Sequence, residues 1–265
     1  MEINNGSKHI ILIHGACHGA WSWYKVTTQL QSAGYHVTVP DMAASGRDPR
    51  QLAEVPSFRD YSQPLLDILG SLPPEEKVIL VGHSLGGVNI ALAMEEFPEK
   101  IAAAVFLSGF MPDFDSPPSH VIDKYSEERP LSAWMDTEFK SLSSGNKILT
   151  SMFFGPGFMK SKLYQLCSPQ DFTLGMSLIR VSSLFLEDLR LQKPFSKDRF
   201  GSVDAVYLVC SEDQGIPPEY QQSMITSHGL VKEVKTIKAD HMVMLSAPEE
   251  LSGCLMEIAD KYALI

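Results

Sequence analysis

The stretch Lys77-Val78-Ile79-Leu80-Val81-Gly82-His83-Ser84-Leu85-Gly86-Gly87 decides how the rest of the chain is read. Val78 to Val81, four apolar residues in a row, predict a short strand buried in a parallel sheet. Gly82-His83-Ser84-Leu85-Gly86 fits G-x-S-x-G. Beyond it, Val88, Ala91, Leu92 and Ala93 have apolar helical spacing as far as Phe97-Pro98, where the proline marks a stop. Strand, sharp turn and helix are the setting in which this motif exposes a serine Oγ, and Gly82 and Gly86 remove Cβ atoms that would collide there. By itself G-x-S-x-G also describes an ordinary Gly-Ser turn, so the flanking chain has to decide.

Outward from this stretch the pattern alternates. His9 to His14 reads as a buried strand that runs into the loop Gly15-Ala16-Cys17-His18-Gly19-Ala20-Trp21. Trp23 to Ala33 has helical spacing and ends at Gly34, a C-cap residue. His36 to Pro40 is the next strand, Asp60 to Leu72 a helix closed by Pro73-Pro74, and Ile101 to Ser108 a strand rich in Ala, Val and Phe. Strict strand-helix alternation predicts a mostly parallel sheet with helices on both faces. At Pro112 the texture changes. As far as Lys197 the chain shows short helical patterns, no buried-type strand, and many Met, Phe and Leu residues, which fits a mainly helical cap. The sheet resumes at Ala205 to Cys210, continues at Val231 to Ile237, and a helix from Pro248 to Tyr262 closes the chain. The expected division is a core of 1–111 and 198–265 with a cap of 112–197, inserted after the sixth strand.

The 265 residues are 44% hydrophobic, enough for a full core, and Asp+Glu exceed Lys+Arg by 32 to 22. A net charge of -10 with no basic run argues against nucleic acid or an anionic membrane as partner. No apolar run approaches the roughly 20 residues that span a bilayer, and the polar start Met1 to Ser7 shows no signal peptide. Cys17, Cys167, Cys210 and Cys254 are scattered and fit neither a zinc pattern nor a disulfide framework, as expected of reduced thiols inside a cell.

Acyl transfer needs a nucleophile, a base, a group that orients the base, and donors for the oxyanion. Ser84 is the candidate nucleophile, Asp213 lies just past the end of one later strand, and His241 just past another. Parallel strands bring those ends to one edge, and the order Ser, Asp, His is that of an α/β-hydrolase. Asp240 is a rival acid, but Asp213 follows a separate strand, as a base-orienting residue should; Asp240 fits a loop-fixing role better. The expected oxyanion donors are the N–H of Leu85 and of Ala16. His14 and His18, at i and i+4, flank a loop glycine instead of lying on a helix, so they read as loop supports and not metal ligands. His83 reads as a neighbour shaping the turn. No cofactor motif is present, and none is expected.

With these residues placed, the sequence resembles the plant methylesterases of the α/β-hydrolase superfamily, a group with hydroxynitrile lyases among its relatives. The resemblance covers nearly the whole chain. It is carried by His14 to Trp21, Ala43-Ala44-Ser45-Gly46, Glu76 to Ser84, Pro98 to Ile101, Tyr164 to Cys167 and Asp240-His241-Met242. Trp134-Met135-Asp136-Thr137 and Ser151 to Pro156 are similar to the methyl salicylate esterase branch.

The resemblance implies a cytoplasmic homodimer that takes a small-molecule methyl ester, or its free acid, of salicylate, jasmonate or indole-3-acetate. It implies a pocket lined by Gly15, Ala16, His83, Trp134, Met152, Phe154, Leu184 and Met242. Lyases of this group carry lysine where Met242 stands, threonine for Gly15 and glutamate for His83, so these positions favour the esterase. Ser108-Gly109 and Gln214 depart from the esterase pattern. The alternatives are a hydroxynitrile lyase and a hormone receptor built on a hydrolase scaffold.

Overall fold

The computed structural model describes residues 8–263. The polar start Met1 to Ser7 lies outside them. Six parallel strands form the central sheet: β1 (His9–Ile13), β2 (His36–Thr38), β3 (Val78–His83), β4 (Ile101–Leu107), β8 (Ala205–Cys210) and β9 (Val231–Ile237), in the order β2-β1-β3-β4-β8-β9. Every residue of β1, β3 and β8 is buried, which requires cover on both faces. Helices supply it: α1 (Tyr24–Ser32) packs on the closing helix Pro248–Tyr262, and α2 (Phe58–Ser71) packs on α3 (Gly86–Glu96). Serine sets the start of α2 two residues earlier than expected, because Ser57 Oγ caps it by accepting from Asp60 N at 3.1 Å.

The insertion leaves the sheet after β4. Among the described residues that is the fourth central strand, not the sixth, because only four strands of the central sheet, β1 to β4, precede Pro112. The insertion also differs from the helical reading. Helices such as α4 (His120–Glu127) and Pro169–Leu178 share it with an antiparallel sheet of β5 (Glu138–Ser144), β6 (Lys147–Phe153) and β7 (Ser182–Ser183). Ser144 pairs with Lys147 across the two-residue loop Gly145-Asn146, with Gly145 at φ 58°. That dipeptide is a hairpin signal. β5 is mostly exposed, so it lacks the apolar run that announced the core strands.

Among the described residues no helix is long and apolar enough to cross a membrane.

Candidate active site

β3 runs two residues further than its apolar run, so Ser84 follows the strand directly. Ser84 sits at φ 56°, a left-handed conformation that costs a non-glycine residue energy and marks a strained turn. The strain is fixed by close packing. A Cβ on Gly82 would lie 2.4 Å from the Gly86 carbonyl oxygen, and one on Gly86 would lie 2.9 Å from the His14 and Ile13 oxygens. Ser84 O accepts from Gly87 N and from Phe110 N, both at 3.0 Å, which ties the turn to α3 on one side and to the end of β4 on the other. No backbone acceptor among the described residues takes the N–H of Leu85 or of Ala16. The first amides of a helix lack intrahelical partners, so Leu85, the N-cap of α3, presents a free donor beside Ser84.

Asp213 is fully buried past β8, and His241 is 4% exposed past β9. His241 Nδ1 donates to Asp213 Oδ2 at 2.7 Å. Asp213 Oδ1 accepts from Gly215 N at 2.7 Å and Ile216 N at 2.8 Å, and Ser108 Oγ donates to Oδ2. The rival, Asp240, does not hold the imidazole. It accepts from Leu166 N at 2.8 Å and Ser246 Oγ at 2.6 Å, fixing the loop, and burial pushes its carboxyl up. Ser84 and His241 line one cavity of about 30 Å³ together with Ala16.

The loop histidines have both ring nitrogens engaged. His14 bonds the Gly15 oxygen at 2.8 Å through Nδ1 and accepts from Met42 N at 3.0 Å through Nε2. His18 bonds the Ala16 oxygen at 2.9 Å and the Tyr164 hydroxyl at 2.8 Å. Burial lowers both pKa values, that of His18 to about 3, so each stays neutral and holds the loop that carries Ala16. Neither keeps a lone pair for a metal. His9, His36 and Glu76 also gather ligand atoms within 4.8 Å, at the far end of β1 from Ser84. His9 already uses Nδ1 on Glu76 at 2.7 Å and Nε2 on Thr38 at 2.8 Å, so both its ring nitrogens are engaged, and His36 stacks on its ring at 3.9 Å.

Of the expected pocket residues, Ala16, Trp134, Met152, Phe154 and Leu184 line the cavity; Gly15, His83 and Met242 do not. Gly15 acts by what it lacks, since a Cβ there would lie 2.8 Å from Ser84 Cβ. His83 is turned beneath His241: its Nε2 donates to the His241 carbonyl at 2.8 Å and the two rings lie 4.5 Å apart. Burial, then the charge of His241, keeps His83 neutral. Met242 is fully buried in the core. Cys17, 1% exposed, also faces away from the cavity, and burial raises its thiol pKa to about 12.

Sequence reasoning missed Phe110, Tyr125, Phe158, Leu163, Gly215 and Ile216, which complete the lining. They arrive from segments far apart in the chain, so no local pattern marks them. Their packing is aromatic: Trp134 stacks on Phe158 at 5.6 Å, Phe154 stacks on Phe158 at 5.0 Å, and Tyr125 meets Trp134 edge-on at 6.0 Å. Asp136 anchors this roof by accepting from Gly157 N and Phe158 N, both at 2.8 Å, and those amides hold its carboxyl below the usual range. A second cavity of about 270 Å³ lies behind Trp134, Met152 and Leu184, which wall both spaces. A half-buried serine on a strained turn, a histidine on a saturated carboxylate, free amides and apolar walls are suited to acyl transfer on a small apolar ester.

Comparison with known proteins identifies the family. Residues 10–253 match the model of the alpha/beta hydrolase family. Salicylic acid-binding protein 2 of Nicotiana tabacum is 53% identical over 96% of this chain and 98% of its own. Methylesterase 1 of Arabidopsis thaliana is 49% identical over 99% and 100%. The crystal structure of polyneuridine aldehyde esterase superposes with a TM-score of 0.93 at 45% identity, covering 96% of this chain and 100% of that one.

Proposed function

The chain belongs to the alpha/beta hydrolase family and is a carboxylic ester hydrolase, and from that premise we propose that it hydrolyses methyl esters of small plant signalling acids by a Ser84-His241-Asp213 mechanism. The observation that carries the reading is the His241–Asp213 pair facing Ser84 in one apolar cavity. His241 Nε2 takes the Ser84 proton as Oγ adds to the ester carbonyl, and Asp213 holds the ring while it is charged. The Ala16 and Leu85 N–H groups stabilise the oxyanion. Methanol leaves with the proton from His241. Water, deprotonated by the same nitrogen, then adds to the acyl-enzyme, and the free acid departs as Ser84 regains its proton.

Methyl salicylate, methyl jasmonate and methyl indole-3-acetate are the proposed substrates, and the name of one relative, salicylic acid-binding protein 2, supports salicylate first. The division into a core of 1–111 with 198–265 and a cap of 112–197, and a cytoplasmic homodimer, complete the proposal on the strength of the resemblance. A lyase would need a cation beside His241, and fully buried Met242 offers none.

The test is a turnover panel of the three esters on wild type and Ser84→Ala. Serine-dependent release of one acid is expected. If no ester is hydrolysed while a free acid binds tightly, the protein is a receptor and the hydrolytic reading is wrong.

A further inference from the structure

Ser108 follows β4 and departs from the esterase pattern, yet it is fully buried at the centre of the site. Its backbone stands at φ 40°, in the left-handed region, and its N–H continues the ladder to Leu208 O at 2.9 Å. The flanking residues grip the nucleophile: Ser84 N donates to Leu107 O at 3.4 Å, and Phe110 N donates to Ser84 O at 3.0 Å. The unusual backbone turns the Ser108 hydroxyl toward Asp213, in the loop past the neighbouring strand β8.

From this geometry we infer that Ser108 is a positioning residue, a fourth member of the catalytic array that orients Asp213 through its hydroxyl. An ionised carboxylate offers about four acceptor sites and no donor. Two backbone amides fill Oδ1, and His241 Nδ1 fills half of Oδ2. The Ser108 hydroxyl takes the remaining place on Oδ2, so it must donate. With four donors the carboxylate cannot rotate, and the imidazole it holds stays aimed at Ser84. A hydrogen bond to a charged group is stronger than one between neutral groups, so its loss is measurable. Ser108 never touches the substrate, so it acts on the rate through Asp213 and His241.

This inference rests on the esterase reading above, and its test separates the two. Ser108→Gly and Ser108→Ala both delete the hydroxyl, but glycine also relieves the left-handed backbone, which offsets part of the stability lost with the hydrogen bond. Expected in both variants is a kcat lower by about ten-fold, with KM within about two-fold of wild type. The acid limb of kcat/KM should move to higher pH, because an Oδ2 freed of one donor stabilises the imidazolium more strongly. The downfield proton resonance of His241 Nδ1 should shift as well, and that readout needs no turnover. If wild type shows no serine-dependent hydrolysis but the resonance still moves, the esterase reading fails and the role of Ser108 stands. Wild-type kcat, pH profile and resonance in Ser108→Gly would overturn the inference, as would a loss confined to Ser108→Ala that tracks its melting temperature.

Discussion

The carboxyl edge of the sheet and the insertion above it are built on opposite terms. At the edge, Ser84 directly follows a parallel strand, Asp213 and His241 lie within a few residues of the ends of two others, and the Asp213 carboxylate is held by fixed partners. Above it, aromatic rings meet with few hydrogen bonds, β5 lies exposed, Leu131 is 90% exposed, and Met135 takes φ 50°. The contrast teaches a division of labour. On the proposed mechanism the sheet edge sets the reaction, and the roof sets which acyl group can reach it.

The sharpest way to break that division is to strike the edge. Ser84→Ala should lower kcat by on the order of 10⁴-fold or more while leaving acid binding intact. Asp213→Asn should cost roughly 10³- to 10⁴-fold, because an amide cannot hold the same imidazole tautomer. Ester assays with product titration by calorimetry check both; activity surviving either change would show that the edge does not carry the chemistry. Gly82→Ala tests the turn itself. Its new Cβ meets a backbone oxygen at 2.4 Å, and the expected loss is about 1–3 kcal/mol in urea unfolding.

A change in the roof should behave differently. Trp134 lines both the 30 Å³ cavity beside Ser84 and the 270 Å³ space behind it. Trp134→Ala joins them, so the preference between a compact ester and a bulkier one should shift by about 10- to 200-fold, with kcat on the bulkier ester largely kept. Equal losses on all esters would mean that the roof serves catalysis and not selection.

The smallest effect concerns acid. His9, His14, His18, His83 and His228 all lie in the core, and burial lowers each of them, His18 to about 3 and His228 to about 4. Their folded pKa values lie below the unfolded value near 6.5, so the unfolded chain binds more protons across that window. Stability is therefore full above pH 6.5 and falls as pH drops toward 3. Each group contributes up to about 1.4 kcal/mol per pH unit. His228 has no partner for Nε2 among the described residues, so His228→Gln should flatten the fall in urea midpoint between pH 7 and 5. A midpoint independent of pH would contradict the burial of these rings.

The same contrast decides what the sequence made legible. Buried parallel strands such as β3 and β8 write themselves as apolar runs, and the first few residues past a strand are candidates for the edge, as Ser84, Asp213 and, after the alternating β9, His241 are. The roof offers no such rule. β5, Glu-Phe-Lys-Ser-Leu-Ser-Ser, has no buried run, and its Gly145-Asn146 turn was the one local mark of a hairpin. Phe110, Tyr125 and Ile216 reach the cavity only through tertiary packing. Ser108 looked like a mere departure until its hydroxyl met Asp213. His83 and Met242 stand outside the lining, because nearness in sequence to Ser84 or His241 does not set the direction of a side chain.

The most direct measurement is rapid-quench mass spectrometry of the protein mixed with methyl salicylate, followed by peptide mapping. The expected result is a salicyl adduct on Ser84 that forms within the first turnover, decays as acid is released, and is absent in Ser84→Ala. Steady release of salicylate with no acyl mass on Ser84, or with the mass on another residue such as Cys17, would contradict the mechanism.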